Sequence, residues 1–194
     1  MAARPGGRTA AVRAAVLAAA ADLLPVAGLH ALDLTTIADR AGVGKTTVYR
    51  RWGTVPALVA DLLADMAATS TPRPATGTLR GDLLSIAKLI QRTLADERQG
   101  PLFKAVIAAA TCDAATAESL AGFYRTRLTE LAPVVADAVA RGEAPPGTDA
   151  DEVIRHISAP LYYRLLTDTT PPRPRDAQRA VDATLAAVAA GVFV

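Results

Sequence analysis

The stretch Leu34–Trp52, LTTIADRAGVGKTTVYRRW, decides the fold. Asp33, directly before it, is a preferred helix N-cap, and the apolar side chains that follow recur at the spacing of one helical face. Gly42 is expected to end this first helix, because glycine adopts a positive φ without strain. A second short helix then runs from about Gly44 to Trp52. Two short helices joined through a glycine, the second opening on basic and hydroxyl residues, are typical of a helix-turn-helix.

The rest of the chain also carries helical periodicity. Aromatic residues make up only 4% of its 194 residues, and alanine, leucine and arginine are abundant, which disfavours a sheet-based fold. We predict an all-α chain with helices over about residues 9–24, 33–41, 44–52, 55–68, 78–98, 101–111, 115–141, 149–168 and 174–190. Pro25 and Gly28 are expected to end the first of these helices, and Asp149 with Glu152 to form a capping box before the eighth.

This pattern predicts two domains. Residues 1–68 form a helix-turn-helix domain of about four helices, residues 69–77 a Pro- and Thr-rich linker, and residues 78–194 a helical domain of about five. Residues 1–60 carry seven basic and three acidic residues, whereas the whole chain has a net charge of only +2. This asymmetry indicates a polyanionic partner for the first domain alone.

Several function classes are excluded by residue types. A single cysteine, Cys112, rules out an internal disulfide, and His30 and His156 lie far apart with no spacing that suits a metal ion. No serine, cysteine or carboxylate has partners that suggest catalysis. We therefore expect no enzyme, no metal and no cofactor.

The N-terminus loosely imitates a secretion signal. Arg4, Arg8 and Arg13 precede the alanine-rich Ala14–Ala21, but Asp22 follows at once. Charges also interrupt every apolar run before it reaches the roughly 20 residues that span a bilayer. We expect an amphipathic helix of a cytoplasmic protein that has no membrane partner.

The helix-turn-helix stretch closely resembles the DNA-binding signature of the TetR family of transcriptional regulators. The resemblance extends over about residues 8–66, and Ala159–Leu166, APLYYRLL, is similar to a segment common in the family's eighth helix. It implies a homodimeric, ligand-responsive regulator, most often a repressor, that binds a near-palindromic DNA operator.

The second short helix is the expected reading helix. Lys45, Thr46 and Thr47 lie in its first turn, where a lysine can donate to guanine and a threonine can offer its hydroxyl or its methyl group to a base. The tyrosine and two arginines one turn later would meet phosphates. The predicted DNA contacts are Arg8, Thr35, Thr36, Lys45, Thr46, Thr47, Tyr49, Arg50 and Arg51.

Two other parts of the first domain are also expected to meet DNA. Thr35 and Thr36 open the preceding helix, whose free N–H groups suit a phosphate. Arg4 and Arg8 would form a flexible arm that enters the minor groove. Trp52 is expected to pack in the core of the small domain instead.

Two alternatives remain open. Val55 stands where the resemblance implies a phosphate-contacting lysine, so the chain could be a small-molecule binding protein with weakened DNA affinity. The segment Gly42–Thr47 also imitates a phosphate-binding loop, but the full pattern needs a glycine where Asp39 stands, and a buried strand before it.

The second domain is expected to supply a dimer interface. Its last two predicted helices carry apolar stripes that suit a four-helix bundle made from two helices of each protomer, and the TetR resemblance implies the same arrangement. The alternative is packing within one chain. The predicted interface residues are Val153, Ile157, Leu161, Leu165, Val181, Leu185 and Val188.

The resemblance also implies an effector pocket between the helices of the second domain. Its mostly apolar candidates favour a hydrophobic or amphipathic small molecule, although most of them would serve equally well as core. The candidate lining residues are Ile86, Ile90, Phe103, Ile107, Phe123, Tyr124, Arg127 and Tyr162.

Overall fold

The computed structural model describes residues 5–70 and 72–194, and over this part of the chain all regular secondary structure is helical. The helices are α1 (Pro5–Ala27), α2 (Leu34–Ala41), α3 (Lys45–Trp52), α4 (Val55–Ala68), α5 (Leu79–Ala95), α6 (Gln99–Ala110), α7 (Ala114–Leu131), α8 (Pro133–Ala140), α9 (Ala150–Thr167) and α10 (Pro174–Ala189). The predicted all-α fold is confirmed.

The structure differs from the predicted helices at Pro133, at Pro25 and at the cap of α9, besides shifts of a few residues at other helix ends. The helix predicted over 115–141 is divided at Pro133, which has no N–H to continue the ladder and therefore opens α8. Helix α1 continues through Pro25 to Ala27, because the proline removes only its own N–H donor, and the Gly28 N–H still donates to the Leu24 carbonyl at 3.0 Å. Asp149 caps α9 by accepting from the Glu152 N–H at 3.1 Å, but its own N–H donates to Phe193 instead of closing the capping box.

The helix-turn-helix belongs to a compact unit, here called the first unit, made of the chain up to Thr69 and Pro101–Phe123. Apolar faces of α1 to α4 and of α6 form its core. Val16, Leu24, Ile37, Val48 and Leu58 are completely buried there. Burying several large aliphatic side chains, at roughly 1.5–3 kcal/mol each, is what holds such short helices in place.

The remaining residues, 70–100 and 124–194, form the second unit. Its core collects α5, α8, α9 and α10, with Leu83, Val135, Ile157 and Val181 fully buried. Packing units need not coincide with domains, and the boundaries at residues 68 and 78 stay predictions.

Of the helices in the described residues, α1 alone is long and apolar enough to cross a bilayer, judged by length and composition. Its buried face carries Val16, Leu17, Ala20 and Leu24 into the first unit's core. The core helix of a soluble protein has the same length and composition.

Candidate nucleic-acid interface

Helix α2, which leads through a short turn into α3, is specified by the sequence at both of its ends. The Asp33 carboxylate accepts from the backbone N–H of Thr36 at 2.8 Å and caps α2. Gly42 has φ 65°, and the N–H groups of Gly42 and Val43 return to the carbonyls of Asp39 and Ala38. This is a Schellman motif, and it fixes the direction in which the chain enters α3.

One face of α3 is anchored in the core. Val48 is completely buried and Trp52 is 8% exposed, which confirms the expectation that the tryptophan packs in the small domain. The indole N–H donates to the Asp61 carboxylate of α4 at 3.0 Å. With this face fixed, the opposite face of α3 points to solvent in a defined orientation.

The Asp61 carboxylate also joins α1 to this arrangement. Arg13 donates to it from Nη2 at 2.8 Å and from Nε at 3.1 Å, and pairs with Asp65 one turn further along α4. These bonds hold the pKa of the Asp61 carboxyl below its ordinary value and raise that of the Arg13 guanidinium. The group formed by Arg13, Trp52, Asp61 and Asp65 is here called the brace.

Sequence reasoning missed the brace, because Arg13 counted only as one of the basic residues near the N-terminus. A signal was present. Asp61 and Asp65 stand four residues apart on a largely apolar helix, so both carboxylates share one face and need a cation.

The solvent face of α3 is basic. Lys45, Thr46, Tyr49, Arg50 and Arg51 are exposed, and α3 contains no acidic residue. Its N-terminus has no side-chain cap, because Gly44 occupies the cap position. This end of the helix therefore offers free backbone N–H groups beside a lysine and two threonine hydroxyls, which suits contact with the grooves and phosphates of DNA.

Local contacts orient the polar side chains of this face. The Lys45 ammonium lies 3.4 Å from the Asp39 carboxylate, and both side chains are more than half exposed. The Tyr49 and Thr35 hydroxyls are hydrogen-bonded at 3.3 Å, which connects α3 to the start of α2. The Arg51 guanidinium lies 5.1 Å from the centre of the Trp52 ring. Arg51 is thus positioned over the brace.

The remaining predicted DNA contacts differ in how exposed their side chains are and in what they bind within the protein. Thr47 is half-buried, and the Thr36 hydroxyl donates to Asp33 at 3.1 Å, so Thr36 stabilises the cap of α2. Arg8 is exposed but lies within α1. The flexible arm predicted for it is therefore corrected, and Arg4 lies outside the described residues.

The phosphate-loop alternative does not fit this geometry. Residues 42–44 connect two helices, and α2 occupies the position where a nucleotide-binding loop needs a buried strand. Val55 is half-buried and packs against the first unit's core, so its side chain contributes to folding and offers no charge to a phosphate.

The residues predicted to line an effector pocket are divided between the two units. In the first unit, the Phe103 and Phe123 rings are in contact at a tilt of 59° with centres 5.8 Å apart, and Ile107 is half-buried. In the second unit, Ile86 is buried, Ile90 packs against the same core and Arg127 pairs with Glu130. A pocket formed by these residues stays a prediction.

Tyr124 and Tyr162 form the best-defined pair among the pocket candidates. Their rings meet edge to face with centres 5.7 Å apart, and their hydroxyls are hydrogen-bonded. Burial raises the pKa of both phenols, that of Tyr162 well above its ordinary value. Both tyrosines therefore remain neutral at physiological pH.

The predicted interface residues require a correction. Six of them are buried within a single chain, and Leu185 is half-buried against the second unit's core; the six are Val153, Ile157, Leu161, Leu165, Val181 and Val188. A side chain that its own chain already covers cannot be the surface that a second subunit covers. The apolar stripes of α9 and α10 are core, and an interface on these two helices would have to use their outer faces.

Comparison with known proteins places this architecture. The family model "Bacterial regulatory proteins, tetR family" matches residues 16–62, which include the helix-turn-helix. The model "Tetracyclin repressor-like, C-terminal domain" matches residues 73–184, more than half of the chain. Both parts of the protein are therefore recognised independently.

Individual relatives agree. The chain is 32% identical over 153 residues to the uncharacterized HTH-type transcriptional regulator YdeS of Bacillus subtilis (strain 168), covering 78% of this chain and 77% of that one. It is 34% identical over 160 residues to the DNA-binding transcriptional repressor TetR of Mycobacteroides abscessus, covering 78% and 80%. A solved SmeT–triclosan complex shares the fold, with a TM-score of 0.71, 23% identity and 95% of each chain covered. The chain is a DNA-binding transcriptional regulator of the TetR family and not an enzyme.

Proposed function

We propose that this regulator is a cytoplasmic repressor that binds a near-palindromic operator as a homodimer and leaves it when a small hydrophobic or amphipathic effector binds. The observation that carries the proposal is the basic, acid-free solvent face of α3, fixed in direction by the Schellman turn before it and by the brace behind it. An orientation fixed before binding lowers the entropy cost of docking into a major groove.

The contacts that we assign to DNA fall into two groups. Lys45 and Thr46 lie in the first turn of α3, and we assign base edges to them. Tyr49, Arg50 and Arg51 follow along the helix, and we assign phosphates to them. For Lys45 to reach a base, its exposed pair with Asp39 has to open, which costs about 0–1 kcal/mol for an ion pair in this environment.

For the dimer we assign the outer faces of α9 and α10. Tyr163 and Leu166 are 67% and 50% exposed on α9, and the exposed Ala159 shares their side of the helix. On α10 the exposed Ala183 and Ala186 are small enough to allow a second helix to approach closely. Exposed apolar side chains at helical spacing on two neighbouring helices suit a two-fold bundle.

Relatives support the regulatory part of the proposal. One relative is named a transcriptional repressor, and a protein of the same fold was solved with triclosan. Release by an effector follows if the effector binds best to a conformer that holds the two α3 helices at the wrong spacing for the operator. A coupling free energy of about 1–3 kcal/mol would change operator affinity about 5- to 150-fold.

The half-buried Val55 favours a second candidate function. Val55 offers no cation to a phosphate at the start of α4, so the protein would have one phosphate contact fewer. In this second candidate function it is a small-molecule binding protein with weak DNA affinity.

Selection from genomic DNA separates the two functions. The protein is incubated with sheared DNA from its source at near-physiological salt, and the retained fragments are sequenced. Enrichment of a near-palindrome with half-sites about one helical turn or a multiple apart supports the repressor. Retention that is diffuse and lost at modestly higher salt supports the second candidate and contradicts the first.

A further inference from the structure

A surface cleft in the second unit lies outside the aromatic pairs described above. Its volume is about 250 Å³, slightly below the roughly 300–1,000 Å³ of pockets that hold drug-sized molecules. One wall is α5, the second is the C-terminal part of α7, and the third is the segment directly before α5, residues 72–78, here called the connector. The apolar lining residues are Pro72, Pro74, Ile86, Leu89 and Leu131.

The connector wall is held in place by several polar contacts. Thr76 donates to the Asp82 carboxylate from its N–H at 2.7 Å and from its hydroxyl at 2.8 Å, and Asp82 is only 3% exposed. Arg73, between the two prolines, pairs with Asp137 of α8 at 3.1 Å. Gly81 permits the close approach, because a Cβ at that position would collide with the Thr76 hydroxyl. The cleft is therefore preformed.

The polar part of the lining has one sign of charge. Lys88, Arg92 and Arg127 line the cleft, and no carboxylate does. Arg127 is paired with Glu130, whereas the side chains of Lys88 and Arg92 form no ion pair or hydrogen bond with any residue that the structure describes. Lys88 and Arg92 stand four residues apart on the exposed face of α5, so both cations flank the same apolar surface.

We propose that this cleft binds a small amphipathic anion, with its apolar body against Leu89, Leu131 and the connector prolines and its anionic group between Lys88 and Arg92. A carboxylate placed there gains charge-assisted hydrogen bonds from two unpaired cations, and its hydrocarbon leaves water against the apolar wall. A neutral molecule of the same shape gains only the burial of its hydrocarbon against the apolar wall. This proposal rests on the effector-binding part of the proposed function. It does not depend on whether α3 binds DNA.

The test is calorimetric titration of the full chain with decanoate, with a naphthalene carboxylate and with decanol. We expect both carboxylates to bind and decanol to bind about tenfold more weakly, since two exposed charge pairs each contribute a small factor. Raising the salt concentration should weaken the carboxylates and leave decanol unchanged.

Variants locate the site. The double variant K88Q/R92Q should raise the Kd of the carboxylates about fivefold to tenfold without changing that of decanol. K104Q is the matched control, because Lys104 is also an exposed helical lysine without a partner among the described residues, and its Kd values should equal those of the wild type. Circular dichroism confirms that each variant is folded.

Three results of these titrations would overturn the proposal. Equal affinity for decanoate and decanol, carboxylate binding that K88Q/R92Q leaves unchanged, or no measurable binding of either carboxylate would each contradict an anion-binding cleft here. Slower amide exchange over residues 81–92 on adding decanoate is the expected confirmation of position, and slowing confined to other segments would contradict it. None of these results depends on operator binding.

Discussion

The brace offers the sharpest test of how the α3 surface is held. Replacing Asp61 with alanine removes the acceptor of the Trp52 indole N–H and two of the acceptors of the Arg13 guanidinium. A buried donor left without a partner costs about 1–3 kcal/mol, and a hydrogen bond to a charged group contributes about 1.5–3 kcal/mol. Arg13 keeps Asp65, and the Asp61 side chain is 26% exposed, so solvent reduces the loss. We expect D61A to lower the free energy of unfolding of the first unit by about 2–4 kcal/mol.

The assay follows from a property of the chain. Trp52 is the single tryptophan in the sequence, and it lies in the first unit, so its fluorescence during urea denaturation reports the unfolding of that unit. D61N should lose about half as much stability as D61A, because its amide oxygen can still accept from the indole but carries no charge. D39A is the matched control, since the Lys45–Asp39 pair is exposed, and it should change stability by no more than about 0.5 kcal/mol.

The pH dependence provides an independent check. The pKa of the Asp61 carboxyl is lowered in the folded protein, first by the hydrogen bonds from Arg13. The stability that the ionised group contributes is therefore fully present above its unfolded pKa of about 3.9, and is lost as the pH falls through the folded value. The gap between wild type and D61A should close as the pH falls below about 4. A D61A loss below about 0.5 kcal/mol at neutral pH would refute the brace.

Three further predictions concern the turn, the phosphates and the dimer. G42A should destabilise the first unit by about 1–2 kcal/mol through the φ of 65° alone, because nothing lies within 4 Å of the added Cβ. G44A, at φ −59°, should cost less in the same urea denaturation, and equal losses of stability in the two variants would contradict the reasoning. R50A should reduce the slope of log K against log salt by about 0.9 in fluorescence anisotropy with operator DNA, and an unchanged slope would remove Arg50 from the phosphate contacts. Y163R/L166R should sediment as a monomer. The control V26R, which alters an 87% exposed residue of α1, should still sediment as a dimer, and a dimer in both variants would contradict an interface at Tyr163 and Leu166.

Local chemistry determined what could be predicted from the sequence. Asp33 as a cap and Gly42 as a left-handed residue were both predicted and are both present, because each conformation depends on a few neighbouring residues. The divided helix at Pro133 was missed, because a proline in an otherwise periodic stretch is compatible with a kinked continuous helix as well as with a new one.

Contacts distant in sequence were harder to predict. The stripe through Val153 and Ile157 was assigned to a subunit interface, yet periodicity reports only that one face of a helix is covered and not which chain covers it. Arg13 was interpreted as part of a basic N-terminal unit, although its two partners lie 48 and 52 residues further along the chain. Net charge over a segment does not distinguish a cation available to DNA from one already paired.

The central claim is that α3 reads DNA sequence. The most direct test measures the affinity of wild type and T46A for the near-palindrome obtained by genomic selection and for a shuffled version of it, at one fixed salt concentration. Thr46 is exposed in the first turn of α3 and carries no charge, so T46A should leave affinity for the shuffled DNA unchanged. It should lower affinity for the operator about tenfold, which is about 1.4 kcal/mol and lies within the roughly 1–3 kcal/mol of one base contact. A T46A variant with the same ratio of operator to shuffled affinity as the wild type would contradict the assignment of this turn to base edges.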